Sequence, residues 1–165
     1  MVDRSPDVAA ALEDSLEAVW LTHSMSPAIR TRLARLGRLE TLAGGQVLLR
    51  EGEPAADLGL VLSGRIGLRL RVPERGAVTI LTVEPGDVVG WSVLVSPHRS
   101  TSTVVGLLPS ELILFDGEAL RRELAASDEL AAAVYPAILS AVARRLDGTR
   151  LQLLDLFTHR WMEPW

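Results

Sequence analysis

The sequence predicts an α+β fold: an antiparallel β-roll of jelly-roll type, preceded by N-terminal helices and followed by a long C-terminal dimerisation helix. Three observations carry this expectation. Between Leu39 and Phe115, short apolar runs alternate with Gly- and Pro-bearing turns, as in a chain of many short strands. On either side of that region the apolar residues recur with helical period. The last helix also carries an unbroken heptad spacing.

The elements follow in order. Ser5-Pro6 reads as an N-cap with Pro at the first helical position. A helix from about Pro6 to Trp20 places Ala9, Leu12, Leu16 and Val19 on one face. Ser26-Pro27 repeats the start signal for a helix carrying Ile29, Leu33 and Leu36, and Gly37 stops it. Val47 to Arg50 is a strand, and Glu51-Gly52-Glu53-Pro54 is a turn. Leu58, Leu60 and Leu62 alternate up to the turn Ser63-Gly64. Ile66, Leu68, Leu70 and Val72 alternate with Gly67, Arg69 and Arg71, a strand with one wet face. Pro73 to Gly76 is a hairpin loop, Val78 to Val83 the returning strand, and Pro85-Gly86-Asp87 another turn. Thr101 to Val105 and Glu111 to Phe115 complete the set. Asp116 then caps a short helix from Glu118 to Ala125. Ser127 caps a longer helix to about Phe157, which Pro136 is expected to kink or split near Tyr135. The expected divisions are 1–37, N-terminal helices; 38–116, the roll; 117–157, C-terminal helices; and 158–165, an aromatic tail.

The long helix presents two stripes. Tyr135, Leu139, Val142, Leu146, Thr149, Leu153 and Leu156 follow one another at alternating spacings of four and three, a heptad seam. Ala131, Val134, Ile138 and Ala141 form a second face suited to packing on the roll. The expectation is a homodimer through the seam, with the polar Thr149 inside it favouring a partner helix; the alternative is one wide apolar face buried in a single core.

Composition narrows the function. The chain has no cysteine, which excludes disulfides, thiolate metal sites and a cysteine nucleophile. Its net charge is −4, and every basic residue other than histidine is an arginine, so a broad electrostatic grip on nucleic acid is not expected. No uncharged apolar run reaches the roughly 18 residues of a membrane span. The acidic start lacks the pattern of a signal peptide, so a cytoplasmic location is expected. His23, His98 and His159 lie far apart and do not show the ligand spacing of a metallo-enzyme such as a cupin. No nucleophile triad or phosphate-binding P-loop is visible, so neither catalysis nor a metal site is expected.

Three glycine-bearing segments then stand in order: Arg50-Glu51-Gly52-Glu53-Pro54, Leu60-Val61-Leu62-Ser63-Gly64 and Pro85-Gly86-Asp87-Val88-Val89-Gly90, followed by the capped long helix. In this, roughly Leu33 to Phe157 resembles the cyclic nucleotide-binding domain of the cyclic-AMP receptor protein superfamily. The resemblance implies a β-roll dimerised through its last helix and a ligand-binding cassette over Gly90 to Val104. Backbone N–H groups there, beside a short helix, receive an anion. The implied ligand residues are Gly90, Trp91, Ser92, Arg99, Thr101 and Ser102, with Thr149 and Arg150 of the long helix near the base.

The chain departs from the family pattern at two places. Where the family has Gly-Glu, this chain has Gly90-Trp91, and an indole N–H donates but cannot accept from a ribose hydroxyl. The family's phosphate arginine falls one position early, at Arg99, with Ser100 in its slot. Trp91 is either a core anchor closing the pocket or a platform for a flat ligand. Arg99 is either an anion contact or a solvated loop residue, and Thr149 either a ligand contact or a tolerated polar residue in the seam. The expected function is a small-molecule-sensing regulatory domain signalling through protein contacts. It requires no cofactor, and its ligand is a cyclic nucleotide or another small planar anion. The alternative is a ligand-free dimeric interaction module. The family's transcription factors continue into a helix-turn-helix domain; only eight residues follow Phe157 here, so direct DNA binding by this chain is not expected. The downstream protein partner is not named by any residue.

Overall fold

A computed structural model describes residues 6–160, with side chains described for residues 8–154. The expected Ser5 cap, the side chain of Leu156 and most of the aromatic tail lie outside those residues. The helical lead-in is α1 (Pro6–Ala18), α2 (Trp20–His23) and α3 (Pro27–Leu36). The single helix expected up to Trp20 is broken at Val19, which is extended (φ −85°, ψ 130°). The break turns Trp20 away from the α1 face, while Leu12, Leu16, Val19 and Leu21 stay buried. Ser26 caps α3 as expected, its hydroxyl accepting from the Ile29 N–H at 3.3 Å.

Eight strands follow: β1 (Gly37–Leu42), β2 (Val47–Leu49), β3 (Asp57–Ser63), β4 (Ile66–Val72), β5 (Gly76–Val83), β6 (Val88–Val89), β7 (Thr103–Gly106) and β8 (Ser110–Asp116). They form two antiparallel sheets, ordered β1-β8-β3-β6 and β2-β7-β4-β5. Gly37 ends α3 by opening β1 in an extended conformation (φ −75°), rather than as a left-handed cap. A Cβ there would stand 2.6 Å from a methyl of Ile113. The central strands of the first sheet, β8 and β3, are buried on both faces over most of their length. Ile113 and Phe115 of β8 join the cluster shared with the helices, and Leu112 and Leu114 join the cluster inside the roll. This explains why β8 reads as a continuous apolar run instead of alternating.

After the roll come α4 (Gly117–Ala126) and α5 (Asp128–Arg160). Asp116 and Ser127 cap them, accepting from the N–H groups of Ala119 (2.8 Å) and Leu130 (3.3 Å). α5 runs unbroken through Pro136, so the expected split does not occur. Pro136 and Ala132, the residue whose carbonyl loses its partner, are both exposed, so water can take that carbonyl. The packed stripe is as expected: Val134, Ile138 and Ala141 are buried and Ala131 is half-buried.

Candidate functional site

The cassette segment begins where β6 ends. Gly90 is left-handed (φ 71°, ψ 19°) and opens a short 3₁₀ helix, Trp91–Leu94. Only glycine fits there, because a Cβ would lie 2.2 Å from the Asp57 carbonyl oxygen. Ser92 and Val93 are buried. Arg121 of α4 donates to the Val93 carbonyl at 2.7 Å and ties the 3₁₀ helix to the helical layer. Trp91 is half-buried and packs against the core shared by the helices and the first sheet.

The loop that follows is laced to the β2–β3 turn by main-chain bonds. Gly52 N donates to Ser100 O, Ser100 N to Glu53 O, and Ala55 N to His98 O, at 2.8 to 2.9 Å. The Ser100 side chain is buried, with its hydroxyl on the Ser102 carbonyl at 2.8 Å. Arg99 is exposed and donates to the Gly52 carbonyl at 2.5 Å. Thr101 is exposed and Ser102 half-buried. The fold therefore brings Gly90, Trp91, Ser92, Arg99, Thr101 and Ser102 into one continuous segment, braced by α4 on one side and the β2–β3 turn on the other.

The long helix meets this segment through a residue that sequence reasoning did not single out. Arg145 reaches from α5 to the Val88 carbonyl at 2.6 Å, two residues before Gly90. Burial pulls its guanidinium below the usual value while Asp87 opposes that shift. A signal for it existed: Ile138, Ala141 and Arg145 share one helical face, so an arginine stood on the packed stripe. Trp20 and Arg144 form a second link that sequence reasoning missed, with the guanidinium 4.2 Å from the ring centroid. Trp20 is also packed on Gly86, where a Cβ would come within 2.5 Å of the ring.

Thr149 and Arg150 are placed differently. Thr149 is exposed with its hydroxyl on the Arg145 carbonyl (2.9 Å), and Arg150 is exposed and paired with Asp147 (3.4 Å). Among the described residues, neither makes a hydrogen bond to the cassette. Of the heptad seam, Tyr135, Leu139, Leu146 and Leu153 are exposed, Leu139 by 68%, while Val142 is half-buried against the core. Among the described residues no cluster of three His, Asp or Glu stands ready for a metal ion, and no helix is long and apolar enough to cross a membrane.

Comparison with known proteins places this geometry. A family model described as "Cyclic nucleotide-binding domain" matches residues 39–127. The CRP-like cAMP-activated global transcriptional regulator of Mycobacterium tuberculosis is 30% identical over 113 residues, covering 68% of this chain and 48% of that protein. The chain thus spans about half the length of the curated regulator it matches. Among solved structures, a cyclic nucleotide-binding domain from Methylobacillus flagellatus KT superposes with a TM-score of 0.76 at 21% identity, covering 90% of this chain and 84% of that one. The N-terminal domain of a transcriptional regulator from Streptomyces coelicolor A3(2) superposes with a TM-score of 0.63 at 29% identity, covering 82% and 94% respectively.

Proposed function

Because the chain belongs to the cyclic nucleotide-binding domain family, we propose that it is a regulatory sensor of a small anionic ligand, altered at its cassette so that cyclic AMP binds weakly. The observation that carries this reading is the state of the cassette. The left-handed Gly90 and the braced loop 98–102 are present, which keeps an anion-receiving backbone in place. The two side chains that would complete a cyclic nucleotide site are altered. Trp91 stands in the acceptor position and packs on the core, and Arg99 is occupied with the Gly52 carbonyl.

A ligand with one negative group and a flat apolar body suits what remains. Its charge would sit on the backbone around Ser92 and Thr101–Ser102, with Arg99 released from Gly52 to join it. The signal would pass along α5, because Arg145 joins that helix to the strand leading into the cassette. The exposed seam of α5 is the proposed homodimer surface. The output is a contact with a protein partner. DNA is not the proposed partner of these 165 residues, whose net charge is −4, and no catalytic step belongs to this reading.

Calorimetry with cyclic AMP and cyclic GMP, on the wild type and on Trp91→Glu, is the test. Restoring a charged acceptor is worth about 1.5–3 kcal/mol, so Trp91→Glu is expected to tighten cyclic AMP binding by about one to two powers of ten. Submicromolar binding by the wild type, unchanged or weakened in Trp91→Glu, would overturn the reading of Trp91. A second reading, a ligand-free dimeric interaction module, is favoured by the packing of Trp91 on the core. It predicts that no anionic ligand binds either form and that Arg99→Ala behaves as wild type.

A further inference from the structure

We propose that the β4–β5 hairpin and the β2–β3 turn beside it form a docking surface for an extended acidic segment of a partner protein. The surface adjoins the cassette through the β2–β3 turn and Thr103, and none of its residues belongs to the α5 seam. Arg50, Arg69, Arg71 and Arg75 gather there, and none has a carboxylate within ion-pair distance, whereas six other arginines of the described residues do. In a chain of net charge −4, four arginines face Glu51, Glu53 and Glu74 here, which leaves a local excess of positive charge whose guanidiniums make no ion pair among the described residues.

The fold explains why the guanidiniums stand free. Leu68 of β4 is buried inside the roll, so Arg69 and Arg71 project from the outer face. β7 begins only at Thr103, opposite Arg69. Beyond that point β4 has no strand on its β7 side, and a cleft opens whose polar lining is Arg50, Glu51, Glu53, Arg69, Arg71 and Thr103. The Glu51 carboxylate closes the end of this cleft by accepting from the Arg71 main-chain N–H at 2.9 Å, and the Glu51 N–H donates to Thr103 Oγ1 at 3.1 Å. Arg69 leans the other way, toward β5, with its Nε on Thr79 Oγ1 at 3.1 Å. Glu53 and Glu74 lie in the two turns and weaken the positive field, but among the described residues neither forms an ion pair.

The second feature is the free edge of the sheet. β5 is outermost in its sheet, and Gly76–Val83 contains no charged residue. The register with β4 skips Ile80, so Gly76 to Thr79 is the straight length, paired on its inner side with Arg69 to Val72. An uncharged edge strand offers unpaired N–H and C=O groups to any extended chain. The charges that guard it sit one strand inward, on β4. A second copy pairing at this edge would bring like guanidiniums together, whereas an acidic strand would bring carboxylates to them. The occupant is therefore an acidic extended segment of another protein.

Fluorescence anisotropy of a labelled peptide of alternating valine and glutamate, titrated with the full chain, tests this, together with hydrogen exchange of the complex. The peptide is expected to bind and to slow exchange at Gly76 to Thr79. A valine–lysine counterpart and a backbone N-methylated version are expected not to bind. Reversing both charges with Arg69→Glu and Arg71→Glu is expected to weaken binding by about tenfold or more. If that pair of changes disturbs the circular dichroism spectrum, Arg75→Glu in the exposed turn takes its place, with a smaller loss expected. No binding of the acidic peptide overturns the proposal, as does equal binding of the lysine peptide or of the charge-reversed chain. Exchange protection at the cassette instead of β5 also overturns it.

Discussion

Gly90 and Arg99 show how little freedom the cassette leaves at single positions. Gly90 combines a left-handed backbone with a 2.2 Å approach of any added Cβ to the Asp57 carbonyl. A carbonyl cannot move aside as a side-chain tip can. Gly90→Ala is therefore expected to destabilise the protein by about 2–4 kcal/mol, from left-handed strain plus the forced shift of β3. Urea denaturation checks this, and a loss below about 0.5 kcal/mol would show that the turn relaxes freely. Sequence marked Gly90 as the start of the cassette. Sequence placed Ser102 among the implied ligand residues and Ser100 only in the arginine's slot, and the fold buries Ser100 with its hydroxyl on the Ser102 carbonyl. The one-place slip of Arg99 is also clearer in three dimensions: at its actual position the guanidinium reaches Gly52, so the turn and the cassette loop share one arginine.

At the scale of elements, α5 divides into two stretches. Up to Val142 and Arg145 one stripe is anchored on the roll. From Leu146 to Leu154 every residue is exposed, including Leu151 at 64% and Leu154 at 58%. That leaves more apolar surface than the single heptad stripe accounts for, and such a surface calls for a partner. Leu146→Arg places like charges against each other across a two-fold helix pair. Sedimentation velocity is expected to show a dimer for the wild type and monomer for the variant, with circular dichroism unchanged because Leu146 is half exposed and belongs to neither core cluster. A wild type that is monomeric at high micromolar concentration would remove the seam from the proposal. Val142 serves both stripes, since it is half-buried against the core while holding a seam position.

For the whole molecule, the question is what holds the helices to the roll. A large share is apolar burial, through the cluster that joins α1 to α5 with Leu58, Leu60, Ile113 and Phe115. Polar ties to the roll side come from Arg121 to Val93 and Arg145 to Val88, while Arg32 with Glu123 at 2.7 Å and Trp20 with Arg144 tie the helices to one another. Arg145 is the tie that joins α5 to the strand entering the cassette segment. Arg145→Ala leaves the buried Val88 carbonyl without that partner and is expected to cost about 1–3 kcal/mol in global stability. Chemical denaturation with an unchanged m-value is the expected signature. If stability is unaffected, water replaces the guanidinium and the tie is not structural.

The sequence by itself determined most of the elements and three of the helix caps, but not β1, β6 or the break at Val19. Ser26, Asp116 and Ser127 act through bonds to N–H groups three residues on, and the strand turns follow from glycines whose conformations are local. The heptad spacing was equally legible, because helical periodicity needs no knowledge of the partner. What only the tertiary structure decided depended on residues far apart in the chain. The break at Val19 lets Trp20 meet Gly86 and Arg144. The unbroken passage of α5 through Pro136 rests on that proline facing solvent. Both faces of β8 are buried because helices and the second sheet cover it from opposite sides. The free arginines of the β4–β5 hairpin were present in the sequence as one wet face. That they have no carboxylate partner is a property of distance, which spacing along the chain does not encode.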